Sequence, residues 1–150
     1  MVDIRVTKTE DLPRMLEIRY NAIMSNAPSH YSEREVKVFI QDVNLDEIQK
    51  MISDQSLFVF QIEDNIVGLS GWKDNNLRHV YIDPYFERRG IATKLLDYTL
   101  RNYKDRTDSK IIKAGCVLYA VKFYQRYGFN IIREAKAWDG SRYYEIEMAI

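Results

Sequence analysis

Between Val80 and Leu96 an alternating apolar run stops at Asp83-Pro84, a short charged stretch follows, and after Gly90 apolar residues recur at 91, 92, 95, 96, 100 and 103. Period two gives way to helical spacing across one proline and one glycine, which prescribes a strand, a tight turn and a helix. Such a chain must pack a helix on a sheet. Arg88 and Arg89 sit just before the helix start, where backbone N–H groups lack intrahelical acceptors and the helix dipole is positive. Two guanidiniums there oppose the local field unless an anion shares the site. The residues leave two readings open: a phosphate cradle in which Gly90 lets the backbone approach an anion, or a solvent-facing arginine pair on a turn whose glycine relieves strain. Neither G-x-x-x-x-G-K-[ST] nor G-x-G-x-x-G occurs, which argues against a nucleotide triphosphatase or a dinucleotide enzyme.

Ahead of this stretch, Ile4 to Thr7 alternates as a short strand, and a helix follows from Leu12-Pro13 to about Met24 with one apolar face. Asn26 to His30 reads as a loop. Ser32 and Glu35 then form a capping-box pattern that opens a second helix, and a third spans about Asp46 to Ser53. Leu57–Ile62 and Ile66–Trp72 flank Glu63-Asp64-Asn65 as an antiparallel hairpin. Leu77–Ile82 is the strand entering the turn; strict alternation puts Val80 and Ile82 on one face and Leu77, His79 and Tyr81 on the other. Beyond the long helix, Ser109–Ala114 reads as a strand. A helix from about Val117, with apolar residues 117, 120, 121 and 124 on one face, is stopped by Gly128. Two strands, Ile131–Glu134 and Tyr143–Met148, close the chain around Asp139-Gly140.

Charge narrows the partners. With 22 basic and 22 acidic residues there is no global pull toward a polyanion, so neither nucleic acid nor an anionic membrane surface is expected as a partner. One cysteine cannot form an internal disulfide, no apolar run reaches spanning length, and no basic segment followed by an apolar one opens the chain. The expectation is a cytoplasmic protein whose 150 residues form one domain, 1–150. Its two histidines have no metal-ligand spacing, so no metal is expected.

Two stretches resemble the GNAT superfamily of N-acetyltransferases. Glu87-Arg88-Arg89-Gly90-Ile91-Ala92 is similar to that family's acetyl-CoA loop, Gln/Arg-x-x-Gly-x-Gly/Ala, matching at Gly90 and Ala92 and departing at Glu87. Ala120-Val121-Lys122-Phe123-Tyr124-Gln125-Arg126-Tyr127-Gly128-Phe129 matches its Ala-x-x-Phe-Tyr-x-x-x-Gly-Phe signature throughout, while Val117 stands where many members carry an asparagine that contacts pantetheine. The resemblance implies an α/β (α+β) single-domain fold: a mixed, mostly antiparallel seven-stranded sheet flanked by about four helices and splayed at its central strands to admit acetyl-CoA. It implies an N-acetyltransferase that uses acetyl-CoA as cosubstrate and moves its acetyl group directly to a small-molecule, N-terminal or lysyl amine. Val80, Tyr81 and Ile82 would pair with the pantetheine, and Arg88, Arg89, Gly90, Ile91, Ala92 and Thr93 would hold the diphosphate, with Phe123 also against the cofactor. Tyr124 would be the general acid that protonates the departing thiolate.

Several residues keep a second reading. Tyr124 is either that acid or a core tyrosine with a satisfied hydroxyl. His79 is either a base toward an ammonium or a strand histidine held by a neighbour. By the family's layout His30, Tyr31 and Glu35 are acceptor contacts; by residue type they are a loop histidine, an anchoring tyrosine and a cap. Cys116, among Ala114, Gly115 and Val117, reads as a small packing group rather than a nucleophile. The alternatives to an acetyltransferase are a non-catalytic acyl-CoA sensor or interaction domain and a transferase for another acyl chain. Monomer and homodimer both remain open.

Overall fold

The computed structural model describes residues 3–150. The short strand β1 (Ile4–Val6) leads into α1 (Leu12–Asn26), which carries Pro13 in its first turn, where a missing N–H costs nothing. A 3-10 turn at Ala27–Ser29 separates α1 from α2 (Glu33–Gln41). The capping box forms as the sequence indicates: the Glu35 N–H donates to Ser32 Oγ at 3.2 Å, and the Ser32 N–H donates to Glu35 Oε1 at 2.9 Å. α3 (Leu45–Ser53) is capped by Asn44, whose Oδ1 accepts the Glu47 N–H at 2.9 Å. The hairpin β2 (Leu57–Ile62) and β3 (Asn65–Lys73) continues into β4 (Asn76–Ile82), and α4 (Ile91–Arg106) follows.

β5 (Ile111–Val117) begins and ends later than the sequence pattern suggests. A 3-10 turn at Leu118–Ala120 precedes α5 (Val121–Tyr127), so Val117 closes a strand instead of opening a helix. It packs beside Tyr31 and Tyr119, away from Ala120, Val121 and Tyr124, which pack on the α4 side. Gly128 ends α5 with a φ of +137°, a value that favours glycine. β6 (Asn130–Lys136) and β7 (Arg142–Ala149) complete the chain.

The seven strands form one sheet in the order β1-β2-β3-β4-β5-β7-β6, antiparallel except for β4 beside β5. Among the described residues five α-helices flank it, in keeping with the expected helix-covered sheet. Met15, Ile18, Ile48 and Met51 bring α1 and α3 onto one face, against Leu57, Val59 and Leu69. On the other face Leu95, Leu96, Leu100 and Tyr103 of α4 pack against Val67, Ile112 and Ile146. Burying a side chain of this size is worth about 1.5–3 kcal/mol, so the two apolar layers fix the sheet between the helices. No helix among the described residues is long and apolar enough to cross a membrane.

Candidate active site

The site starts from an irregularity in β4. Leu69 lies opposite Tyr81 and Gly71 opposite Arg78, so Ser70 alone is matched by His79 and Val80. This is a β-bulge, and His79 carries its strain with a φ of +58°. Such a backbone costs a non-glycine residue about 1–3 kcal/mol and persists only where the surroundings enforce it. The extra residue resets the alternation. Leu77 therefore packs against Leu96 and Leu100 together with Val80, and does not share the face of His79 and Tyr81 as strict alternation predicts.

Next to the bulge, β4 and β5 part. They pair only at Asn76 and Lys113, and β5 turns its full length to β7 instead. The β5-facing backbone groups of β4 beyond that bridge have no strand partner, and a cavity of about 630 Å³ opens along them. Val80, Tyr81 and Ile82 form one wall, and Cys116, Phe123 and Tyr124 stand on the other.

Tyr124 reaches the cavity from α5. Its ring sits edge-on to Phe123 and Phe129, at centroid distances of 5.2 and 5.6 Å, which fixes its direction. Its hydroxyl makes no hydrogen bond among the described residues. Burial pushes its pKa up, with Cys116, Tyr81 and Tyr119 adding to the shift, so the phenol keeps its proton at neutral pH. Burial also pushes the Cys116 thiol up to about 12, and its Sγ lies 3.2 Å from the Val117 carbonyl. A thiol so held is a poor nucleophile.

At the opposite end, Arg19, Phe39, Asp42, Arg78 and His79 line the cavity. Arg19 donates to the carbonyls of Phe39, Ile40 and Asp42, which closes the C-terminus of α2. His79 Nε2 is 2.9 Å from Glu47 Oε1. Burial lowers the His79 pKa against the opposing pull of Glu47, leaving the ring neutral at pH 7. Glu47 has no motif around it, and its partner lies 32 positions away.

The three acceptor candidates lie outside this wall. Tyr31 is buried, its hydroxyl donating to the Arg142 carbonyl at 2.7 Å and accepting from the Leu118 N–H at 3.0 Å. That hydroxyl ties α2's approach to β7 and to the end of β5. Glu35 is spent on its capping box, and exposed His30 lies tilted against Tyr119 with ring centroids 5.5 Å apart.

In the Arg88–Ala92 loop, Arg88 and Gly90 have φ values of +62° and +79°. Nothing lies within 4 Å of where a Gly90 Cβ would stand, so its lack of a side chain serves the backbone angle and not a tight fit. α4 starts at Ile91 with no side-chain cap on its first N–H groups. Among the described residues neither Arg88 nor Arg89 forms an ion pair. Arg88 and Ala92 line the cavity, Arg89 instead lies 5.0 Å over the Phe86 ring, Thr93 is exposed, and the Ile91 side chain is buried beside Leu95 and Phe60. Glu87 accepts from Asn26 Nδ2 at 3.3 Å, which turns its charge toward α1.

A family model described as an acetyltransferase (GNAT) domain matches residues 27–150. An uncharacterized N-acetyltransferase, YafP of Escherichia coli strain K12, is 22% identical over 135 residues, 90% of this chain and 85% of that protein. A GCN5-related N-acetyltransferase from Rhodopseudomonas palustris superposes with a TM-score of 0.89 at 17% identity, covering 100% of this chain and 99% of the other. The PaiA N-acetyltransferase of Thermoplasma acidophilum, solved in complex with coenzyme A, gives a TM-score of 0.77 at 18% identity, with 100% of both chains covered. At these identities the two structures are likenesses of fold.

Proposed function

The chain belongs to the GNAT acetyltransferase family and is an acyltransferase, and from that premise we propose that it moves the acetyl group of acetyl-CoA directly to an amine within a ternary complex. The observation that carries this reading is the splay itself: an unpaired β4 edge faces a cavity into which an unbonded tyrosine hydroxyl is turned. An extended pantetheine can add to that edge through its amides as a further strand would. The uncapped first turn of α4, with Arg88 beside it in no ion pair among the described residues, suits a diphosphate, and Glu87 on the same wall is engaged by Asn26. Arg89, Gly90, Ile91 and Thr93 contribute there through main-chain N–H groups.

With the acyl group beside β4, a main-chain N–H at the bulge is in the right class of donor to polarise the thioester carbonyl. The amine nitrogen attacks that carbon, the carbon–sulfur bond breaks, and Tyr124 gives its proton to the leaving thiolate. Overall the ammonium loses two protons: one ends on the CoA thiol by way of Tyr124, and one is released. His79, neutral and on the cavity wall, is the base we assign to the proton that is released, taken from the ammonium before the nitrogen attacks. The acceptor would enter past Arg19, Phe39, Asp42 and Arg78 rather than past His30, Tyr31 or Glu35. A lone, buried cysteine suits a reducing compartment, in keeping with a single-domain cytoplasmic enzyme.

The test is thiol release from acetyl-CoA across a panel of amino acids, aminoglycosides, polyamines and peptides. Amine-dependent release above the hydrolytic background supports transfer. Saturable acetyl-CoA binding without release on any amine would favour the non-catalytic sensor, and faster release from propionyl- or succinyl-CoA would reassign the acyl group.

A further inference from the structure

The contact between α3 and the β4 bulge lies outside both motifs, yet it determines which nitrogen of His79 can accept a proton. His79 Nε2 and Glu47 Oε1 are 2.9 Å apart, with side chains only 14 and 11% exposed. An ionised carboxylate can only accept, so Nε2 carries the hydrogen and Nδ1 keeps the lone pair. Glu47 is itself held: its N–H is bonded to the Asn44 cap, and its second oxygen lies 3.9 Å from Lys73 Nζ on β3. Arg78, next to His79 on β4, and Arg19 on α1 both disfavour a charged ring, and Glu47 opposes them. The bulge that strains His79 to a φ of +58° also puts it on the wall of the cavity.

We infer, building on the transfer reaction proposed above, that Glu47 is a positioning residue: it holds His79 in the Nε2–H form so that Nδ1 takes the proton of the acceptor's ammonium. The balance is simple. The lone pair of Nδ1 forms a new N–H bond as one N–H bond of the ammonium breaks, giving a neutral amine and an imidazolium. Glu47 keeps its negative charge throughout and offsets the positive ring, and the ring later returns the proton to solvent. The pair acts as one carboxylate–imidazole unit, in which loss of the carboxylate weakens the base without touching the acyl-CoA.

Glu47→Gln keeps the size and an acceptor oxygen while removing the charge. The expected result is a kcat lower by about 10–100-fold with the KM for acetyl-CoA within about twofold. The acid limb of kcat/KM moves to lower pH, because an imidazolium without its counter-charge loses its proton more easily. Glu47→Asp restores part of the rate, and His79→Gln removes the limb. A purely structural bond would leave the pH profile in place. A second readout needs no activity: the chain has only two histidines, so nitrogen-15 NMR of a His30→Gln protein reports His79 alone. A protonated Nε2 and bare Nδ1 in Glu47 protein, mixing of the tautomers in Glu47→Gln, and the shifted limb together support the assignment. An unmoved acid limb in Glu47→Gln, or a proton on Nδ1, overturns it. Failure of the underlying reading looks different: wild-type protein that binds no acyl-CoA defeats the transfer reaction, and this role for Glu47 with it, whatever the tautomer.

Discussion

Tyr124 is the residue on which the proposed chemistry turns, and the structure gives it the packing of a core tyrosine without a satisfied hydroxyl. The ring is packed between Phe123 and Phe129 like any core aromatic, while the hydroxyl stays without a protein partner at the cavity. Removing that oxygen creates no void beyond one atom. Tyr124→Phe is therefore expected to fold normally, bind acetyl-CoA with unchanged affinity, and lose about 10²-fold in kcat, measured by thiol release under saturating amine. Equal turnover would remove Tyr124 from the reaction. The signature around Phe123 and Gly128 made this tyrosine legible in the sequence. Glu47 was not, because nothing local marks a glutamate in the first turn of a helix as more than a favourable dipole charge. Only tertiary packing brings it to His79, 32 positions on. The same holds for Tyr31, whose buried hydroxyl serves two backbone groups that no spacing rule could have named.

Strands and turns were easier to read than their defects. Periodicity located β2, β3, β4 and α4, and Asp83-Pro84 and Gly90 marked the breaks between the last two. It missed the bulge, since a one-residue insertion leaves composition unchanged while turning Leu77 to the α4 side. Two predictions belong at this scale. Arg88 lines the cavity and Arg89 does not, so Arg88→Ala is expected to weaken acetyl-CoA binding by about tenfold or more, and Arg89→Ala by much less. The gap should narrow in high salt, and equal losses would contradict the geometry. On β3, a Cβ at Gly71 would stand 2.5 Å from the Ser56 carbonyl oxygen, a backbone atom that the Trp72 N–H also holds at 3.0 Å. Gly71→Ala is expected to cost about 1–3 kcal/mol in urea unfolding, and an unchanged midpoint would show that the strands can slide apart freely.

For the molecule as a whole, the decisive feature is that one sheet changes partners halfway along. Strands on the β1 side are continuous through β4, those on the other side are continuous from β5 to β6, and a single bridge at Asn76 and Lys113 joins the halves. Resemblance to a known family put a splay at the central strands; hydrophobic pattern alone could not, because a splayed strand and a paired one alternate alike. The same resemblance pointed to His30, Tyr31 and Glu35 as acceptor contacts; none of the three lines the cavity, whose wall includes Arg19, Phe39, Asp42 and Arg78. The gap between the halves is where acetyl-CoA is proposed to bind, and everything argued for Tyr124, His79 and Arg88 depends on it. Calorimetric titration of the protein with acetyl-CoA, with ATP as the control that carries phosphates and adenine but no pantetheine, tests it most directly. Saturable binding of one acetyl-CoA per chain, with ATP binding far more weakly, is the expected result; no heat of binding with acetyl-CoA, or equal binding of ATP, would contradict it.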